Sequence, residues 1–124
     1  MKTAEPGTFI SRGEYTDTIT FDKVLDQPKK VAILYNKGCA SSCETILFLG
    51  MKSSKTILVG ENSGGYVGYG EVTSIETPHF GFTLNQTISR YRNARKYEAD
   101  GVPPDFQLEY DSDWIEQTIS ILKK

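Results

Sequence analysis

A short apolar strand pattern followed directly by an apolar helix pattern occupies residues 31–51 and constrains the fold more than any other feature. The run VAILY at 31–35 is continuous and partly β-branched, which predicts a strand buried on both faces, as in a parallel sheet. After the turn NKGCASSCE, the segment TILFLGM is apolar nearly all round and predicts a helix sunk in the core. Ser41 and Glu44 fit the S-x-x-E capping box, so we expect the helix to begin at or just after Ser41.

The remaining segments alternate between strand, loop and helix patterns. They predict a strand at 56–59, a glycine-rich loop at 60–70, antiparallel strands within 71–93, a Pro/Gly loop at 97–105 and a closing helix at 113–122. This order predicts an α/β fold with an antiparallel β appendage. Residues 1–30 are expected to form an extended N-terminal arm, and residues 31–124 the core.

The composition indicates a soluble globular chain, because 38% of its 124 residues are hydrophobic and 24% are charged. A net charge of -2 with no basic stripe argues against a nucleic-acid partner. No apolar stretch has the length of a membrane span, and the opening MKTAEPGTF lacks the apolar region of a signal peptide.

Two cysteines, Cys39 and Cys43, lie on either side of Ser41. A C-x-x-x-C spacing without further Cys or His partners is a poor zinc signature, so we expect no metal ion. The two cysteines either pair, if the chain is exported, or serve as small buried side chains, and the second interpretation is slightly favoured.

Ser41 has two interpretations on local pattern alone. A serine between a parallel strand and a helix lies at the carboxyl end of that strand, where open α/β sheets bind ligands. The helix N-terminus offers free N–H groups to a developing oxyanion, so Ser41 is a candidate nucleophile and the Ser42 N–H a candidate oxyanion donor. The alternative, which the local pattern favours, is that Ser41 only caps the helix and contributes about 1 kcal/mol.

Three short motifs favour the first interpretation. GCASSCE at 38–44, VGENSGG at 59–65 and GVPPD at 101–105 resemble, in order and spacing, motifs of the tail-specific (C-terminal processing) peptidases. The resemblance covers 31–122 and implies a crotonase-like core that is only partial here. It also implies a serine peptidase that acts on extended polypeptides without an organic cofactor or metal. Relatives of this kind are exported bacterial proteins of the periplasm or cell envelope.

The resemblance also assigns roles residue by residue. Ser41 matches the nucleophile, and Ser42 matches the residue whose N–H serves the oxyanion hole. Many members carry a base lysine where this chain has Tyr66, and a phenol with a pKa near 10 is a poor replacement. In a second, tricorn-like branch a glutamate before the G-V-x-P-D segment supports a histidine. Glu98 holds that place, and Asp100 is its nearest competitor.

Four further expectations follow from the sequence. His79, the single histidine, is interpreted as a non-catalytic loop residue, so the isolated chain is expected to be the incomplete C-terminal portion of a catalytic domain. A non-catalytic module that binds apolar ligands or peptides is the alternative. Uncovered sheet edges predict self-association or arm exchange.

The glycine-rich loop lacks G-K-[ST], so we expect it to line a substrate groove instead of binding phosphate, through Asn62, Ser63, Gly64, Gly65 and Tyr66.

Overall fold

A computed structural model describes residues 5–11, 13 and 16–124 of the chain. Within these residues the fold is mixed α/β. Its elements are β1 (Val31–Tyr35), α1 (Ser42–Gly50), β2 (Thr56–Gly60), β3 (Tyr69–Glu76), β4 (Thr83–Arg90), a 3₁₀ turn (Arg95–Tyr97), β5 (Phe106–Gln107) and α2 (Trp114–Leu122).

The main sheet has the strand order β1-β2-β5 and is parallel throughout. Val31 pairs with Thr56 and Tyr35 with Gly60, so β1 and β2 end at the same edge of the sheet. Since parallel strands present their carboxyl ends together, the turn after β1 and the glycine-rich loop after β2 leave the sheet side by side. This edge positions the candidate site.

The predicted strand and helix at 31–51 form, but their predicted complete burial is wrong. β1 is an edge strand with Val31 37% and Leu34 39% exposed. Helix α1 buries Leu47 completely, whereas Ile46 is 57% and Leu49 68% exposed. Apolar side chains favour burial, but whether a face of a strand or helix is covered depends on which neighbouring elements pack against it.

A compact core joins the sheet to the turn after β1 and to the loop before β5. Its buried members are Tyr35, Cys39, Leu47, Leu58 and Val102. Cys39 precedes Ser41 in the turn after β1, and Val102 lies in the loop that leads to β5. The packing therefore anchors both loops against the sheet rather than leaving them free at its edge.

The predicted antiparallel appendage is a two-stranded sheet formed by β3 and β4. Ile75 pairs with Leu84 and Glu76 with Thr83, and the connecting turn contains His79. The hairpin is connected to the glycine-rich loop by a hydrogen bond from the Tyr91 N–H to the Gly68 carbonyl at 2.8 Å.

The described part of residues 5–30 contains neither helix nor strand and is exposed. It contacts the rest of the chain through the Phe9 ring, 4.6 Å from the Arg90 guanidinium, and through the Leu25 carbonyl, which accepts from Lys55 Nζ at 2.5 Å. The predicted arm also includes residues 1–4, 12, 14 and 15, which lie outside the described residues. No helix of the described chain has the length and apolar character needed to cross a membrane.

Tyr35 generates a prediction about alkaline stability. Burial, reinforced by the Asp105 carboxylate, raises the pKa of the Tyr35 phenol well above its ordinary value. A tyrosine in the unfolded chain ionises at about pH 10. Above that pH the unfolded chain therefore releases a proton that the folded chain keeps. The raised pKa therefore contributes stability that is complete below the unfolded pKa and is lost as pH rises through the folded pKa.

We expect Tyr35→Phe to lose about 1 kcal/mol at neutral pH, because the phenol donates to the Val102 carbonyl. The variant should also show a smaller fall in the free energy of unfolding between about pH 8 and pH 10.5 than the parent chain. Urea unfolding at both pH values measures this difference. Equal falls in the two proteins would contradict the prediction.

Candidate active site

Ser41 occupies a strained backbone conformation between β1 and α1. It is the N-cap of α1 with φ 56° and ψ -113°, and it is one of the few non-glycine residues with positive φ among those described. Its side chain is exposed. Such a conformation costs about 1–3 kcal/mol and is characteristic of functional sites. A sharp, strained strand-to-helix turn is also the geometry that presents a serine nucleophile in some hydrolases.

The hydroxyl of Ser41 is not held as a helix cap. The predicted capping-box pairing of Ser41 and Glu44 is present, and the Ser41 N–H donates to Glu44 Oε2 at 2.8 Å. In the other half of the box, the Glu44 backbone faces the Ser41 side chain, but the two do not form a cap hydrogen bond. Both halves of the box are therefore present, but the half that involves the Ser41 hydroxyl falls short of a cap hydrogen bond.

Ser42 is the first residue of α1 and is exposed. The first N–H groups of a helix have no acceptor within the helix, and the helix dipole places partial positive charge there. Among the described residues, no carbonyl or side chain accepts from the Ser42 N–H. This N–H is therefore available to an anionic oxygen beside Ser41.

The Glu44 carboxylate is completely buried and connects α1 to the glycine-rich loop. Besides the Ser41 N–H, it accepts from Ser63 Oγ at 2.5 Å, from the Gly65 N–H at 2.8 Å and from the Tyr66 N–H at 3.0 Å. Each of these donors is a neutral group, and hydrogen bonds to an ionised acceptor are the stronger kind. The carboxylate thus fixes the loop relative to the Ser41 turn.

Ser63 extends this network to the segment before β5. Its hydroxyl accepts from the Val102 N–H at 2.7 Å, and its N–H donates to the Val102 carbonyl at 3.1 Å. Gly101 has φ 78°, and a Cβ there would lie 2.2 Å from the Ser63 carbonyl oxygen. Glycine is therefore required at 101 for both backbone conformation and space, and the three sequence motifs meet around Glu44 and Ser63.

A polar cavity of about 710 Å³ lies beside this network. Four of the five predicted groove residues line it, namely Asn62, Ser63, Gly64 and Tyr66; Gly65 does not. Ser41 and Ser42 are not among its lining residues either. The turn that carries Ser41 is nevertheless adjacent to the cavity, because the Gly64 N–H donates to the Cys39 carbonyl at 2.8 Å. Lys37, Glu61, Ala99, Asp100 and Gln107 complete the lining.

Glu98 and His79 lie on different elements. Glu98 follows the 3₁₀ turn, is half-buried and accepts from the Gly68 N–H through Oε2 at 2.6 Å. His79 is exposed at the tip of the hairpin formed by β3 and β4, and no hydrogen bond joins it to Glu98. Asp100 is exposed and lines the cavity, and its carbonyl accepts from Asn62 Nδ2.

Cys39 and Cys43 form a disulfide, so the slightly favoured interpretation of two free buried thiols is wrong. The bond joins the turn before Ser41 to the first turn of α1, and the structure leaves no cysteine free. The described residues contain no group of three or more His, Cys, Asp or Glu side chains arranged to hold a metal ion.

From the sequence, Glu44 is expected to mark the helix start and to end the GCASSCE motif, and its central position in the site is not predicted. One signal was available in the sequence. Glu44 lies three residues after Ser41 and three before the fully buried Leu47, so Glu44 and Leu47 share a face of the helix. An acidic side chain on the buried face of a helix needs hydrogen-bond donors from another segment.

Comparison with known proteins supplies an independent observation. The sequence model of Peptidase family S41 matches residues 5–108. No curated protein matches the chain. A candidate peptidase from Parabacteroides merdae has a similar structure, with a TM-score of 0.56 and 17% identity over 77% of this chain and 32% of that protein.

Two further solved structures share the fold. A candidate S41 protease from Bacteroides fragilis gives a TM-score of 0.53 at 18% identity, covering 77% of this chain and 28% of that one. The tricorn protease gives 0.56 at 24% identity, covering 77% and 11% respectively. The chain therefore spans a third or less of the length of each of these proteins.

The Glu44 network generates a prediction about stability. In Glu44→Gln the amide NH₂ cannot accept hydrogen bonds, so the donors on one of the two oxygens lose their acceptor. These are either Ser63 Oγ and the Gly65 N–H, which share Oε1, or the Ser41 and Tyr66 N–H groups, which share Oε2. We expect a loss on the order of 3 kcal/mol in the free energy of unfolding, measured with urea. Glu109→Gln, at an exposed carboxylate, is the matched control and should change stability by less than about 0.5 kcal/mol. Similar values for the two variants would show that the carboxylate does not hold the loop.

Proposed function

The chain belongs to peptidase family S41, and from that premise we propose that it carries the nucleophile of a serine peptidase, Ser41. The strained Ser41 turn carries this proposal: an exposed hydroxyl, free of any cap hydrogen bond, next to the unpaired N–H of Ser42. Membership of the family gives the class of reaction, and the turn gives the atoms that carry it out.

In the proposed reaction, Ser41 Oγ attacks the carbonyl carbon of a peptide bond while its proton passes to a general base. The carbonyl oxygen gains negative charge and accepts from the Ser42 N–H. The C–N bond then breaks, the amine leaves with a proton from the base, and an ester to Ser41 remains. Water hydrolyses this acyl-enzyme and restores the serine.

The general base is proposed to be a histidine supplied from outside these 124 residues. Tyr66 stands at the family's lysine position, and a phenol hydroxyl is a poor replacement for an amine as general base. Glu98 is proposed to orient the histidine. Its Oε2 already accepts from the Gly68 N–H, and Oε1 has no partner among the described residues, so that oxygen is available to an imidazole N–H.

The substrate is proposed to be an extended polypeptide lying along the polar cavity. Lys37, Glu61, Asn62 and Asp100 give this cavity hydrogen-bonding and charged groups that suit a peptide backbone. The second candidate function is a non-catalytic binding module of the same fold, favoured by Tyr66 in place of a lysine. The polar lining supports a peptide over an apolar molecule as its ligand.

Three further proposals concern the whole protein. Residues 31–124 are proposed to be the C-terminal portion of a crotonase-like catalytic core, with residues 1–30 as its arm. The protein is proposed to be bacterial and exported to the periplasm or cell envelope, which the Cys39–Cys43 disulfide supports because such bonds persist in oxidising compartments. Its subtype is proposed to be tail-specific.

The nucleophile is tested with a fluorophosphonate probe on the full-length protein that contains this chain. We expect Ser41→Ala to reduce labelling and hydrolysis of an unfolded casein substrate by at least about a thousandfold. Ser120→Ala, at an exposed serine on α2, is the matched control and should retain both. The 124-residue chain alone should label far more slowly than the full-length protein. Peptide binding without Ser41-dependent labelling would instead favour the binding module.

The isolated chain is also proposed to self-associate. Large apolar side chains are exposed on the described arm and on the hairpin, including Phe21 at 74%, Phe80 at 78% and Phe82 at 69%. We expect sedimentation velocity to show dimers or larger species whose fraction rises with concentration, because exposed apolar surface favours association. A single monomeric species at high concentration would contradict this.

A further inference from the structure

The disulfide encloses the proposed nucleophile in a small covalent ring. The Cys39–Cys43 bond closes residues 39–43 with Ser41 at the centre, and the two Cα atoms are 5.2 Å apart. A hydrogen bond from the Cys43 N–H to the Ala40 carbonyl at 3.1 Å crosses the same ring. Any change in the backbone at Ser41 must therefore be accommodated within this ring.

One end of the ring is fixed to the rest of the fold. Cys39 is 6% exposed and packs in the core with Leu47 and Val102. Its N–H donates to the Asn36 carbonyl at 2.9 Å, and its carbonyl accepts from the Gly64 N–H at 2.8 Å. The disulfide thus links the first turn of α1 to Cys39, whose position is fixed by the core and by the glycine-rich loop.

The conformation of Ser41 needs such a restraint. At φ 56° and ψ -113° an L-residue lies outside the favoured regions, so an unrestrained turn relaxes toward negative φ. The restraints on this relaxation are the hydrogen bond from the Ser41 N–H to Glu44, the bond that the Ser41 carbonyl accepts from the Thr45 N–H at 3.2 Å, and the covalent ring. Removing the ring leaves only hydrogen bonds against the strain.

We propose that Cys39 and Cys43 are positioning residues for Ser41, and that reduction of their disulfide switches the site off reversibly. This inference rests on the proposed function. A thiolate of a dithiol reductant attacks Sγ of half-buried Cys43 and forms a mixed disulfide, while the Sγ–Sγ bond breaks and Cys39 leaves as a thiolate that takes up a proton. The second thiol of the reductant then displaces Cys43, which also takes up a proton, and closes the reductant's own disulfide. The two cysteines gain two electrons and two protons, and the dithiol becomes a disulfide.

A purely global stabilising role fits the bond less well. A cross-link stabilises a fold by restricting the unfolded chain, and this contribution grows with the length of the closed loop. The separation of Cys39 and Cys43 is 4 positions, so the loop is among the shortest possible. Reduction is therefore expected to alter the Ser41 turn more than the remainder of the fold.

The experiment compares the oxidised full-length protein with the same protein reduced by dithiothreitol and then reoxidised. Alkylation and mass measurement count the thiols in each sample. We expect reduction to slow fluorophosphonate labelling of Ser41 by about a hundredfold, the effect of a displacement of roughly 1 Å, and reoxidation to restore it. The double variant Cys39→Ala/Cys43→Ala should label slowly with and without dithiothreitol.

Hydrogen exchange supplies a readout that does not depend on activity. Reduction should speed exchange in peptides covering 36–44 and 61–66, where the Ser41 and Gly64 amides lie, while hairpin peptides from 69–90 serve as the internal reference. The double variant should show the same local increase if it folds, which the hairpin peptides establish.

Unchanged labelling in a fully reduced protein overturns the inference and leaves Ser41 as the nucleophile. Loss of protection throughout the chain, hairpin included, also overturns it, because the bond then only stabilises the fold. If no state shows Ser41-dependent labelling, the proposed function fails, and hydrogen exchange alone decides the positioning role. A local increase supports that role, and unchanged exchange at 36–44 refutes it.

Discussion

The arrangement around the candidate site depends on the buried carboxylate of Glu44. Its acceptor oxygens hold the Ser41 N–H on one side and the glycine-rich loop on the other, through Ser63, Gly65 and Tyr66. A buried carboxylate without donors is costly, so the helix, the turn and the loop are stable only in the relative positions that satisfy it. Through the Ser63 hydroxyl, the same requirement extends to Val102 and hence to the segment that enters β5.

The features that the sequence predicted correctly are those encoded by neighbouring residues. The VAILY run, the S-x-x-E spacing and the alternation after residue 70 each specify an element through local periodicity or capping, and β1, the start of α1 and the hairpin of β3 and β4 follow them. The capping box also predicted Ser41 at the junction of β1 and α1, where the structure has it.

The features that were missed depend on residues distant in sequence. Leu34 and Leu49 are apolar yet exposed, because burial is decided by which elements pack on a face. The Cys39–Cys43 pairing requires the turn geometry that brings the two residues together, and their spacing alone left both alternatives open. Glu44 resembles an ordinary capping residue until Ser63 and Gly65, some twenty positions away, are seen to donate to it.

The distribution of backbone donors limits what this chain provides to a reaction. The Gly64 N–H is paired with the Cys39 carbonyl, and the Gly65 and Tyr66 N–H groups are paired with Glu44, so the loop beside Ser41 presents none of these to a substrate oxygen. The Ser42 N–H stays unpaired among the described residues. An oxyanion hole ordinarily has two or more donors, so a complete site needs a further donor from another segment. The network that positions the Ser41 turn thus also takes up the loop N–H groups that lie beside it.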